Sequence, residues 1–134
     1  MNQYNVVAAV IRHNGKYLCM QKGKTRFDYT SNKYEFPGGK VESGEMEPQA
    51  LMRELLEEMD YPISIERHLV TVHHEYPDFG ITLAAYLCSV STDRFRMNEH
   101  VGHRWLDAAE LRSLDWAAAD VAIVDALLES TGDT

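Results

Sequence analysis

Residues 35–61 read EFPGGKVESGEMEPQALMRELLEEMDY, and they decide both the fold and the chemistry of this chain. The stretch opens with a tight loop, Pro37-Gly38-Gly39-Lys40, and continues into a helix expected from about Glu47 to about Asp60. Pro48 suits the first helical turn, where its missing N–H costs nothing. Pro62 forbids much continuation. Glu54, Glu57 and Glu58 stand at i, i+3 and i+4, so their carboxylates project from one helical face. Leu51, Leu55, Met59 and Met52 fall well round the cylinder from that face and are expected to be buried. Like charges at this spacing destabilise an isolated helix by roughly 0.2–0.5 kcal/mol per pair. A bound divalent cation would reverse that sign.

The cation implied is hard. Carboxylates and a backbone carbonyl suit Mg²⁺ or Mn²⁺, and no thiolate or imidazole cluster lies nearby to favour zinc. Mg²⁺ keeps much of its water and shares its shell with substrate phosphates. The Gly38-Gly39 pair lets backbone approach a ligand closely and offers a carbonyl to the metal. The start of the helix offers free N–H groups to an anion.

The spacing resembles the Nudix box: Gly39, five residues, Glu45, seven residues, Arg53-Glu54-Leu55-Leu56-Glu57-Glu58, one residue, Asp60-Tyr61. The family hydrolyses nucleoside diphosphates linked to another group. In one departure, Asp60 stands where the family has glycine. That position lies just past the helix end, where a left-handed residue is favoured. Aspartate tolerates this conformation better than most residues.

The resemblance implies an α/β fold, an α/β/α sandwich with a mixed sheet between helices, and residues 1–134 as a single Nudix hydrolase domain. It implies Glu54, Glu57 and Glu58 as metal-binding glutamates, with the carbonyl of Gly38 or Gly39 as a further ligand. Arg53 matches the arginine that braces the glutamates, Glu45 has a supporting role, and Lys40 meets a phosphate. Two groups compete for general base: Glu54 within the box, and Glu99, which resembles the loop glutamate of MutT-like members and would also reach the metal. The plain alternative for Glu99 is an exposed loop acid.

Outward from the box, a length of 134 residues allows one domain with a real core, and 45% hydrophobic residues fit a globular protein. There is no apolar run long enough to cross a membrane and no signal-peptide pattern at residues 1–15. Cys19 and Cys88 lie in strand-like runs and match no metal spacing; they read as buried reduced thiols in a cytoplasmic protein. A net charge of −8 argues against a stable nucleic-acid partner. A free nucleotide stays open, and so do monomer and homodimer.

Residues 6–11 and 17–21 read as strands joined by Asn14-Gly15, a strong hairpin signal. Residues 22–33 are expected as a mobile polar loop. It carries Lys22, Lys24, Arg26 and Lys33, either solvated or capturing phosphate and base. Residues 63–74 and 81–90 read as a second hairpin, the latter strand covered on both faces. Residues 91–103 are expected to be irregular, 104–106 a short strand, and 107–113 a helix opened by a capping box. A final helix is expected over 121–128, with residues 130–134 frayed. Adjacent histidines on a strand face opposite sides, so His73 and His74 do not share a metal. His100 and His103 suggest no site.

Two further stretches resemble the branch containing MutT and CTP pyrophosphohydrolase, which cleaves nucleoside triphosphates to monophosphate and pyrophosphate. They are residues 34–40 and residues 116–123, the latter holding Asp120 where the family places a base-reading residue. An ionised Asp120 only accepts and favours an amino-bearing edge such as cytosine; a protonated one also donates and reads oxidised guanine. Asp120 as a helix cap is the plain alternative. Tyr34, Phe36 and Phe79 are candidates to flank the base. The expected activity is a Mg²⁺-dependent nucleoside triphosphate pyrophosphohydrolase that sanitises the nucleotide pool, acting on 8-oxo-dGTP or on CTP or dCTP. The alternatives are a Nudix hydrolase for another nucleoside diphosphate derivative and a non-catalytic Nudix-fold binding module.

Overall fold

Strand alternation sets up the layers. In β1 (Asn2–His13), Val7, Ala9 and Ile11 face one side and Ala8 and Val10 the other. β2 (Lys16–Lys22) repeats the pattern, with Leu18 and Met20 on the first side and Tyr17 and Cys19 on the second. Each side then needs a cover. Helix α1 (Glu47–Met59) supplies Ala50, Leu51, Leu55 and Met59 to the first. Helix α2 (Ala118–Thr131) supplies Ala119, Ile123, Val124, Leu127 and Leu128 to the second. The computed structural model, which describes residues 1–131, is thus the expected α/β/α sandwich around a mixed sheet.

The centre of the sheet is the parallel pair of β1 with β6 (Phe79–Ser89), in register from Asn2 opposite Phe79 to Arg12 opposite Ser89. β5 (Ser64–Glu75) lies antiparallel on the far edge of β6. β1 and β2 pair only beside their hairpin, where Asn14 and Gly15 take φ of 52° and 77°, the positive values a two-residue hairpin requires. Beyond it the strands part. β2 continues between β3 (Tyr34–Glu35) and β7 (His100–Leu106), while β4 (Gly38–Lys40) takes the edge of β1. Residues 35–40 therefore run from one half of the sheet to the other.

Helix α1 ends as anticipated. Asp60 takes the left-handed conformation, φ 50° and ψ 42°. Its N–H donates to the Leu56 carbonyl at 3.0 Å, and that of Tyr61 to the Leu55 carbonyl at 3.1 Å. The turn that glycine makes in the box is kept by aspartate.

Several expectations need correction. Met52 is exposed, because it sits on the rim of the α1 stripe rather than under it. Residues 22–33 are tied down: a single 3-10 turn at Asp28–Thr30, hydroxyl bonds among Thr25, Thr30 and Ser31, and stacking of Phe27 on Tyr29 and of Tyr29 on Tyr76 hold them. β7 begins at His100, since pairing with β2 extends it through a polar sequence. The capping box at Asp107 opens a 3-10 helix, Ala108–Ser113, with Glu110 returning to the Asp107 N–H at 3.1 Å. The last helix starts at Ala118 and includes Ser130 and Thr131; the remaining residues expected to fray, 132–134, lie outside the described residues. No helix among the described residues is long and apolar enough to cross a membrane.

Candidate active site

The glycine loop and α1 meet at close quarters. A β-carbon on Gly38 would overlap the Val7 carbonyl of β1. One on Gly39 would overlap the carboxylate of Glu54. Glycine at both positions is what lets β4 lie between β1 and the acidic face of α1.

Arg53 holds the acids in place. Its Nε and Nη2 donate to the two oxygens of Glu45 at 2.7 and 3.0 Å. Nη1 donates to Glu54 and to Glu57, both at 3.1 Å, and Nη2 also reaches the Lys40 carbonyl at 3.1 Å. This is the bidentate bracing that a planar guanidinium suits. Glu45 is held below the usual carboxylate range, first by Arg53 and then by the Glu42 N–H.

Glu54 and Glu58 are shifted the other way. Burial raises Glu54 against the opposing pull of Arg53. Burial also raises Glu58, helped by the charge of Glu99 and a hydrogen bond with it. Two neighbouring carboxylates repel, and a divalent cation between them would relieve that repulsion. Among the described residues no three His, Cys, Asp or Glu side chains close into a metal cluster. What the fold assembles instead is an open oxygen set on one cavity wall: Glu54, Glu58, Glu99 and the Gly38-Gly39 backbone. An open set fits Mg²⁺ or Mn²⁺, which retain waters and share substrate oxygens. Glu57 stands apart, with its side chain 59% exposed and turned to Arg53.

Glu54, Glu58, Glu99, Gly38 and Gly39 line a cavity of about 840 Å³. Asp120, buried in the first turn of α2, lines the same cavity. Its Oδ2 accepts the Phe36 N–H at 2.9 Å. That bond to the distant link between β3 and β4, rather than to its own helix start, removes the cap reading. Burial pushes the Asp120 carboxyl well up, and the charge of Glu35 adds to it. Phe36 stacks on Trp116 with ring centroids 4.7 Å apart. Phe79 packs against Phe27 and Tyr76, and the Tyr29 hydroxyl donates to Asp78 at 2.7 Å.

Lys22, Arg26, Phe36, Lys40 and Phe79 all line the cavity, and so does Lys33. Lys40 lies over the Tyr4 ring, 4.2 Å from its centroid. Tyr34 does not line the cavity; it packs edge-on against Trp116. Lys24 is exposed and also outside it. His73 and His74 are separately engaged, with Thr82 and with the Tyr76 ring.

Sequence reading gave Glu35 no role and set His100 aside. Glu35 lines the cavity between Lys22, at 3.7 Å, and His100, at 2.9 Å. His100 itself is almost wholly buried. The one available signal was an acid in an otherwise aromatic segment just ahead of the glycine loop.

A family model described as NUDIX domain matches residues 6–126. The chain is similar to the CTP pyrophosphohydrolase of Escherichia coli K12, 30% identical over 128 residues, covering 96% of this chain and 93% of that protein. It is 38% identical over 85 residues to the 8-oxo-dGTP diphosphatase of Proteus vulgaris, covering 62% and 73% respectively. Among solved structures, the E. coli ORF135 protein superposes with a TM-score of 0.80 at 30% identity, covering 96% of this chain and 91% of that one. The DNA mismatch repair protein MutT, a Nudix hydrolase from methicillin-resistant Staphylococcus aureus 252, gives 0.76 at 34% identity, covering 97% and 99%.

Proposed function

We propose, because the chain belongs to the NUDIX domain family, that it is a nucleoside triphosphate pyrophosphohydrolase, releasing a nucleoside monophosphate and pyrophosphate and so clearing unwanted nucleotides from the pool. One observation carries this reading. A single cavity is lined both by Glu54, Glu58 and Glu99, carboxylates able to hold a cation, and by Asp120, Phe36 and Phe79, groups able to read and flank a base. The relatives named for CTP and 8-oxo-dGTP support the same substrate class.

Nudix hydrolases generally use divalent metal ions. Mg²⁺ or Mn²⁺ held by Glu54, Glu58, Glu99 and a carbonyl of Gly38 or Gly39 would neutralise the phosphates and acidify a bound water. Arg53 keeps Glu54 oriented from behind, outside the cavity. Lys22, Arg26, Lys33 and Lys40 give the cavity wall positive charge for the phosphates and the approach path. Glu99, not engaged by Arg53, is the better placed of the two candidates to take a proton from the attacking water; Glu54 already accepts from the guanidinium. Burial, with the charge of Glu35, shifts Asp120 toward its protonated form, in which its free edge donates as well as accepts. Such an edge suits the adjacent acceptor and N–H donor of 8-oxoguanine, and equally the N3 and amino group of cytosine, so 8-oxo-dGTP, CTP and dCTP all remain candidate substrates.

The test is pyrophosphate release from 8-oxo-dGTP, dGTP, CTP and dCTP with Mg²⁺, before and after chelation. Metal-dependent release from 8-oxo-dGTP, CTP or dCTP is the expected result. Turnover of none of the four would remove the reading.

A further inference from the structure

His100 opens β7 with its side chain only 8% exposed, yet it lines the cavity. Its Nε2 lies 2.9 Å from Glu35 Oε2. A carboxylate only accepts, so Nε2 carries the hydrogen. Nδ1 is left buried with no hydrogen-bond partner, and among the described residues no other side-chain nitrogen or oxygen is so placed. A buried polar atom without a partner is a cost that a packing residue such as leucine would avoid. The contact made by Nε2 offers a reason for a histidine here.

Glu35 lies where a nucleoside would be read. The next residue, Phe36, gives its N–H to Asp120, so the two acids flank one stretch of backbone. The other oxygen of Glu35 is 3.7 Å from Lys22, a half-exposed lysine too loosely placed to fix the carboxylate alone. His100 supplies the short, directional, buried contact.

We propose that His100 is a positioning residue for substrate specificity: by holding Oε2 it aims Glu35 at a hydrogen-bond donor of the bound nucleoside, either a sugar hydroxyl or an exocyclic amino group. This rests on the nucleoside triphosphate reading above. It separates two jobs on adjacent residues, Glu99 serving the phosphates and His100 the nucleoside.

The experiment uses the full chain and three variants: His100→Leu, His100→Gln and His100→Asn. A glutamine amide nitrogen reaches the place of Nε2 and can donate to Glu35; that of asparagine falls short, near Nδ1. Steady-state kinetics with Mg²⁺ on 8-oxo-dGTP, CTP and dCTP give KM and kcat. Calorimetry of the matching monophosphates without metal reads binding alone, and melting temperature reports folding.

His100→Leu should raise KM about tenfold, the effect of one lost charge-assisted hydrogen bond, with kcat within about threefold. Monophosphate binding should weaken by the same factor. His100→Gln should recover most of the loss and His100→Asn little of it, a contrast that holds even if the leucine variant fails to fold. A loss confined to CTP against dCTP identifies the 2′-hydroxyl as the donor; a loss shared by both cytosine nucleotides identifies the amino group or the 3′-hydroxyl.

An unchanged KM and unchanged monophosphate binding in His100→Leu would overturn the proposal. So would glutamine faring no better than asparagine at equal melting temperature, or a fall in kcat alone, which would put His100 in the service of Glu99. A wild type inert to every nucleotide removes the function and this inference together; an active wild type matched by the leucine variant removes only the inference.

Discussion

Replacing Gly39 by alanine puts a methyl group where the Glu54 carboxylate lies, whereas the same change at Gly38 drives it into the Val7 carbonyl. The two clashes differ in what can yield. At Gly39 the obstacle is the end of a side chain, which can swing away. It then gives up its 3.1 Å bond from Arg53, a charge-assisted contact of about 1.5–3 kcal/mol. It also escapes the burial that raises its pKa, which offsets part of that loss. Arg53 keeps Glu45, Glu57 and the Lys40 carbonyl. A net cost near 1 kcal/mol follows, about 3–4 °C in Tm for a chain of this size. At Gly38 the obstacle is backbone inside the β1–β4 ladder. Overpacking against something that cannot move costs about 3 kcal/mol or more, at least about 10 °C. Activity should sort the other way: Gly39→Ala, folded but with Glu54 displaced, should lose roughly 100-fold or more in kcat/KM, as removal of a metal-positioning group does. Thermal melting and pyrophosphate release on both variants check this. A Gly39→Ala enzyme with near-normal kcat/KM would refute the placement of Glu54 at the metal.

Glu99→Gln keeps shape and removes basicity, so kcat should fall roughly 10²–10⁴-fold if Glu99 takes the proton; near-full rate in the same assay rejects that role and leaves Glu54. Asp120 titrates above its ordinary 3.8 in the native state, so folding favours its protonated form. That stabilisation is complete below about pH 4 and is lost as pH rises toward the native value. Asp120→Asn cannot ionise and still accepts from Phe36. In metal-free buffer its Tm relative to wild type should therefore climb between pH 4 and pH 8, and a flat difference would contradict the buried, protonated Asp120. Cys19 and Cys88 are buried free thiols pushed up to about 12 by burial. A thiol reagent at pH 8 should label neither until denaturant is added; rapid labelling of the native chain would show that one of them is reachable.

The parts of the site that could be read in the sequence are those whose geometry is local. Arg53, Glu54, Glu57 and Glu58 occupy one helix, so their spacing alone places them together. Gly38 and Gly39 announce a close approach of backbone. The Asn14-Gly15 turn, the two hairpins and the two helices follow from periods and turn residues for the same reason. Where contacts between distant strands decide, the pattern is silent or misleads. The polar run before Arg104 becomes β7 because β2 offers it an edge, with Lys22 opposite His100. The same β2 pairs on its other edge with β3, placing Met20 opposite Glu35. Glu35 and His100, 65 residues apart, thus meet across a strand whose own sequence contains no sign of either. Phe27 and Tyr29 look like stray aromatics in a polar loop until Tyr76 and Phe79 arrive from the second hairpin. The helix carries the part of the site that a motif can encode, whereas Glu35, His100 and Asp120 are brought to the cavity only by the folded sheet. On the specificity role proposed for His100, two chains sharing the box would differ in substrate without a change in residues 39–61, and position 100 is where such a difference would be sought first.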